Sequence, residues 1–155
     1  MAEVAVDETD LRILKALQRD GRLSNVELAE AVNLSPSPCL RRTKRMQEEG
    51  VIRGYRVDID RNAVELGLTV FVGFKVLQHT RENADRLSAA LDEIPEVVSC
   101  FMVSGEDDFL AEVVVKDLAA YERLLSERLL TLPMVAGIRS NFALRSIKTA
   151  APLPL

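Results

Sequence analysis

At 155 residues the chain has room for one medium or two small domains, and an apolar fraction of 48% is ample for folded cores. Residues 1–60 carry ten Lys or Arg against eleven Asp or Glu, and residues 61–155 carry ten against thirteen, so bulk charge alone does not point to nucleic acid. The acidic start MAEVAVDETD lacks any hydrophobic run, and Cys39, Cys100 and the single His79 lack metal-ligand or CxxC spacing, which argues against a signal peptide, a membrane span, a disulfide framework and a zinc site and for a protein of the reducing cytoplasm.

In chain order, Asp7 caps a predicted helix carrying Leu11, Ile13, Leu14 and Leu17, with Asp20-Gly21 as its stop. Ser24 and Glu27 have the spacing of a capping box, so a short second helix begins at Asn25 with Val26, Leu28, Ala29 and Val32 on its apolar face. Asn33 accepts the left-handed conformation that ends it. After a turn at Asn33–Ser35, Ser35 caps a third helix with Pro36 at its first position and Gly50 at its end. Advancing 100° per residue groups Cys39, Leu40, Thr43 and Met46 on one side, Ser37, Arg41 and Arg45 on the other, and Arg42 and Lys44 beside the latter. VIRGYRVDI, residues 51–59, reads as a hairpin bent at Gly54, with Arg53 and Arg56 on that wing.

A cationic helix standing alone would more often be a solvated face. The length of the preceding helix, the turn chemistry and the wing reverse that reading, and between Arg41 and Arg56 six cations meet only Glu48 and Glu49. The expectation is a winged helix-turn-helix over residues 1–60 that binds double-stranded DNA through Ser35, Ser37, Arg41, Arg42, Lys44, Arg45, Arg53 and Arg56.

Residues 61–68 break the pattern and read as a hinge, leaving 69–155 as a second domain. LSAALDEIPEVV, from Leu87, resembles LSERLLTLPMV, from Leu125, and Pro95 and Pro133 lie 38 residues apart. Reading outward gives strand 69–77, helix 81–92, strands 97–103 and 109–116, helix 118–130 and strand 136–148: an α+β, ferredoxin-like βαββαβ sandwich. Both alternating sets on 97–103 are largely apolar, so the open sheet face needs a cover, and a second copy of the chain is the simplest one. The tip of the middle hairpin, Ser104-Gly105-Glu106-Asp107-Asp108, places three carboxylates beside a glycine. It is an ordinary acidic turn, a small-ligand loop taking a carboxylate on backbone N–H groups and an ammonium on an acid, or a hard-cation site.

The segments D-x-x-I-L-x-x-L-Q-x-D-G-R from Asp10, SNVELAEAVNLSPSPCLRR followed by E-G-V-I-x-G-Y, and V-S-G-E-D-D-F resemble those of the Lrp/AsnC, or feast/famine, transcriptional regulators, and more closely their leucine-responsive branch. That resemblance implies a sensing domain that dimerises through its sheet, assembles as far as octamers, and binds an amino acid such as leucine near the hairpin. It carries Gly105 and Asp108 over to the effector site, with Ser104, Asp107 and Ser140 beside them; Asp107 departs from the family pattern. Neither a cofactor nor a metal is implied, and a nucleoid-associated regulator of amino-acid metabolism genes is the function implied. An enzyme on the second domain would need a nucleophile or base with an anion hole, which no cluster supplies. An effector-independent architectural DNA-binding protein is the alternative.

Overall fold

The computed structural model describes residues 5–149 and 151–155, which group into two compact units, residues 5–58 with 148–149 and 151–155, and Ile59–Ile147. The first unit holds three helices, α1 (Glu8–Arg19), α2 (Asn25–Ala31) and α3 (Pro36–Glu48). Two capping boxes start the first pair: Asp7 with Asp10, and Ser24 with Glu27. Asn33, at φ +56°, closes α2 through bonds from its own N–H to Glu30 O and from Leu34 N–H to Ala29 O. The Asn25 amide then donates to Pro36 O at 2.9 Å, tying the start of α2 to the start of α3. Ile13, Leu28, Ala29, Val32, Cys39 and Met46 form the buried centre, flanked by Val51 and Ile52. Two expected core members are exposed instead, Val26 and Leu40. From the end of this unit's chain, Leu153 returns to α1, where the Gln18 side chain accepts from its N–H at 2.5 Å and donates to its carbonyl at 3.4 Å.

The expected hairpin over 51–59 does not form paired strands. Val51 and Ile52 fold back onto the core, with Ile52 N–H on Met46 O, and residues 53–60 carry neither strand nor helix. Two short arms bent at Gly54 would bury neither face, and Val57 and Ile59 are indeed exposed; isolated two-stranded ribbons are marginal in water. Tyr55 alone finds a seat, its ring so close over Gly21 that a Cβ there would lie 3.2 Å away.

The second unit is a four-stranded antiparallel sheet in the order β2-β3-β1-β4, built from β1 (Leu68–Val76), α4 (Arg81–Asp92), β2 (Val97–Met102), β3 (Phe109–Val115), α5 (Leu118–Leu124) with a π-helical turn Leu125–Leu129, and β4 (Val135–Phe142). This is the ferredoxin-like order, and period-two alternation explains its core. Val70, Val72 and Phe74 of β1 with Ala111 and Val113 of β3 meet Leu87, Leu91, Tyr121 and Leu129 from the helices. Each such Val, Leu or Phe side chain contributes about 1.5–3 kcal/mol on burial. The internal repeat survives in backbone bonds. Ile94 N–H to Leu91 O and Val97 N–H to Ile94 O recur 38 positions on as Leu132 to Leu129 and Val135 to Leu132. β4 stops at Phe142, short of the expected 148, because its partner β1 begins at Leu68 and Ala143 N–H already takes Thr69 O. The expected hinge is a folded turn on this unit: Leu66 N–H bonds Arg61 O, Arg61 reaches Glu112 at 2.8 Å, and Lys116 reaches Glu65 at 2.7 Å.

Candidate nucleic-acid interface and effector site

On α3 the buried residues Cys39, Thr43 and Met46 face the core, so the opposite side presents Ser37, Arg41 and Lys44, with exposed Leu40 at its edge. The six cations fall into two groups. Arg41, Lys44, Arg53 and Arg56 are exposed and carry no ion pair among the described residues. Arg42 and Arg45 are drawn to the flank of the helix by α1: Arg42 bonds Asp7 at 2.7 Å and Asp10 at 2.9 Å, while Arg45 bonds the second oxygen of Asp10. Asp10 is fully buried, and the same oxygen that receives Arg45 accepts the Asp7 N–H of the capping box. The Asp10 N–H, then the Arg42 guanidinium, hold the Asp7 carboxyl below its ordinary range, and Asp7 with Asp10 raises Arg42.

Ser35 is the N-cap of α3 but makes no side-chain cap bond, which leaves its exposed hydroxyl and that of Ser37 at the helix start, where phosphate oxygens are favoured. Of the eight residues expected at the DNA, the fold therefore presents Ser35, Ser37, Arg41 and Lys44 on one helical surface. It places Arg53 and Arg56 on the irregular segment after α3 and commits Arg42 and Arg45 to α1. The acid that anchors them, Asp10, is not among the expected residues, and the capping-box spacing of D-E-T-D at residues 7–10 is the sequence signal that points to it.

In the second unit, the β2–β3 tip is fastened rather than loose. Gly105 sits at φ +136°, and Val103 N–H bonds Asp108 O. Asp108 donates its N–H to Phe74 O, and its carboxylate accepts the Val76 N–H at 2.9 Å where β1 bulges against β4; His79 Nδ1 lies 3.2 Å from its other oxygen. Arg139 of β4 holds both Glu106 and Asp107 at 2.6 Å, and these two carboxylates, Asp107 first, raise its pKa further. The Asp107 carboxylate lies directly over Gly73, where a Cβ would meet its oxygen at 2.3 Å.

Ser104, Gly105, Asp107 and Asp108 are thus gathered at one tip, but Ser140 is not with them. Ser140 pairs with Val72 on the helix-covered side and bonds the Tyr121 hydroxyl at 2.6 Å, whereas Gly73 and Arg139 pair on the open side with Asp107 above them. One residue of register decides the face. The residues sequence reasoning passed over here are Gly73 and Arg139, the latter legible only as a cation on a strand. Among the described residues no group of three or more His, Cys, Asp or Glu has metal-site geometry, and no helix is long and apolar enough to cross a membrane.

A helix-turn-helix with an outward cationic second helix, joined in one chain to a ferredoxin-like domain, has the two-part build of a DNA-binding transcription regulator. The comparisons bear on both halves: residues 6–53 match the winged helix-turn-helix DNA-binding model and residues 69–153 the Lrp/AsnC ligand binding domain model. The chain belongs to the Lrp/AsnC family of transcriptional regulators. It is 43% identical over 155 residues, all of both chains, to the Bkd operon transcriptional regulator of Pseudomonas aeruginosa, and 37% identical over 143 residues to the leucine-responsive regulatory protein of Escherichia coli, 92% of this chain and 87% of that one. Among solved structures, a transcriptional regulator of Neisseria meningitidis in complex with L-Met superposes with a TM-score of 0.90 at 38% identity, covering 97% of each chain.

Proposed function

We propose that the chain regulates genes of amino-acid metabolism in the cytoplasm by binding specific duplex sites as a homodimer, with an amino acid such as leucine shifting its DNA binding or assembly. In this reading residues 1–60 bind DNA, 61–68 connect, and the sheet domain senses and assembles, up to octamers. The observation that carries it is the fastened Gly105 hairpin, which gathers the Asp107 and Asp108 carboxylates and the Arg139 guanidinium in one place, the two signs of charge an amino-acid zwitterion needs. The complex of the Neisseria regulator with L-Met supports the ligand class. An effector acts only through unequal affinity for two states, so the readout must compare them.

The test is a gel-shift titration on DNA upstream of the chain's own gene, with and without leucine and a panel of other amino acids. Specific binding that shifts with one amino acid is expected, and Asp108→Asn, which keeps an acceptor for Val76 N–H, should lose the shift while retaining DNA binding. Arg41→Ala should weaken specific binding at least tenfold, the scale of one good base contact. A second reading, an effector-independent architectural protein, is favoured by the internal pairing of Arg139 with Glu106 and Asp107, which already occupies part of the tip. Indifference to the whole panel would establish it.

A further inference from the structure

The rotational setting of α3 is fixed by charge. With Arg42 and Arg45 held on Asp10, and Cys39, Thr43 and Met46 in the core, the outward arc is Ser37, Leu40, Arg41 and Lys44. Leu40 is 43% exposed and stands outside the cluster packed on Ile13, Cys39 and Met46. A single exposed leucine needs no explanation by itself. Its neighbours supply one: three residues after Ser37 and four before Lys44 on the helix surface, with Arg41 on the same arc, it borders a hydroxyl and two cations that carry no ion pair among the described residues. A surface complementary to that set combines negative charge with an apolar group. The major groove of DNA does so wherever thymine presents its C5-methyl between phosphate backbones.

We infer that Leu40 is a specificity-determining residue that contacts the C5-methyl of a thymine in the major groove while Arg41 and Lys44 hold neighbouring base edges or phosphates. This rests on α3 being the groove-reading helix.

The test uses the full chain and the duplex that it selects from a random pool. Each thymine in that duplex is replaced in turn by uracil, which pairs identically and lacks only the methyl. The wild type is expected to lose about fourfold in affinity at one thymine of the site, the worth of one buried methyl-sized group. Leu40→Ala should bind the thymine duplex more weakly yet treat thymine and uracil alike at that position, and Leu40→Met should keep the discrimination. Because Leu40 is exposed, urea melts of both variants should match the wild type. The inference is overturned if the selected duplex has no preferred thymine, if no uracil replacement weakens the wild type, or if Leu40→Ala keeps the wild-type uracil penalty. Failure of the helix assignment itself reads differently: Arg41→Ala would then bind the selected duplex as tightly as the wild type.

Discussion

Asp10 and Arg45 illustrate how a single buried charge redistributes a surface. A helical projection of α3 puts Arg45 within reach of the outward arc, and only the carboxylate beneath it, three residues after the cap of α1, pulls it aside. Nothing in α3's own pattern reveals that; the partner lies 35 residues away. Removing Asp10 leaves Arg42 with Asp7 and Arg45 with Glu49, both partly in solvent, and takes away the acceptor of the Asp7 N–H, so Asp10→Ala should cost about 1–3 kcal/mol of stability. Urea unfolding of the variant checks this, and a loss below about 1 kcal/mol would mean that the arginines are not anchored there. Leu40 is the same lesson reversed. At roughly 100° from the buried centre of the helix it lies at the edge of the outward arc, where an apolar residue can as well face out as in, and its exposure shows that it faces out.

At the scale of elements, what the chain announces locally is what the structure contains. Both capping boxes, the Asn33 stop, Pro36 at the start of α3 and the two Ile-Pro and Leu-Pro junctions are short-range signals whose chemistry is complete within four residues. The wing, the end of β4 and the facing of Ser140 depend on partners far along the chain, and there the expectations missed. The caps also carry a pH dependence. Asp7 and Glu27 both sit below their ordinary values of 3.8 and 4.5, Asp7 chiefly through the Asp10 N–H and Glu27 chiefly through Ser24. A depressed carboxylate contributes stability that is present above its ordinary value and is lost as pH falls through its lower folded value. Urea midpoints should therefore decline between about pH 5 and pH 2, and the double variant Asp7→Asn, Glu27→Gln should decline less steeply. Equal slopes would remove the caps from the acid response.

On the scale of the whole molecule, the open side of the sheet is the surface that most needs a partner. Cross-strand pairing lines up Phe101, Leu110, Gly73 and Arg139, and beside them Ser99, Glu112, Phe71 and Asn141, so two exposed phenylalanines share a face with a few polar groups. A second copy laid on this face would cover them, and stable interfaces bury about 800 Å² per partner. Under the homodimer proposal, Phe71→Asp should sediment as a monomer at micromolar concentration and lose affinity for a two-half-site duplex more than for a single half-site. A dimer that persists in this variant would place the interface elsewhere.

The carboxylate resting on Gly73 also binds two distant positions to one evolutionary history. Any side chain at 73 would drive into Asp107, and an Asp107 displaced from that seat would give up its hold on Arg139. Positions 73 and 107 should accordingly vary as a pair among descendants of this chain: glycine on the strand where the hairpin keeps its aspartate, and a larger residue only where the aspartate has already been exchanged.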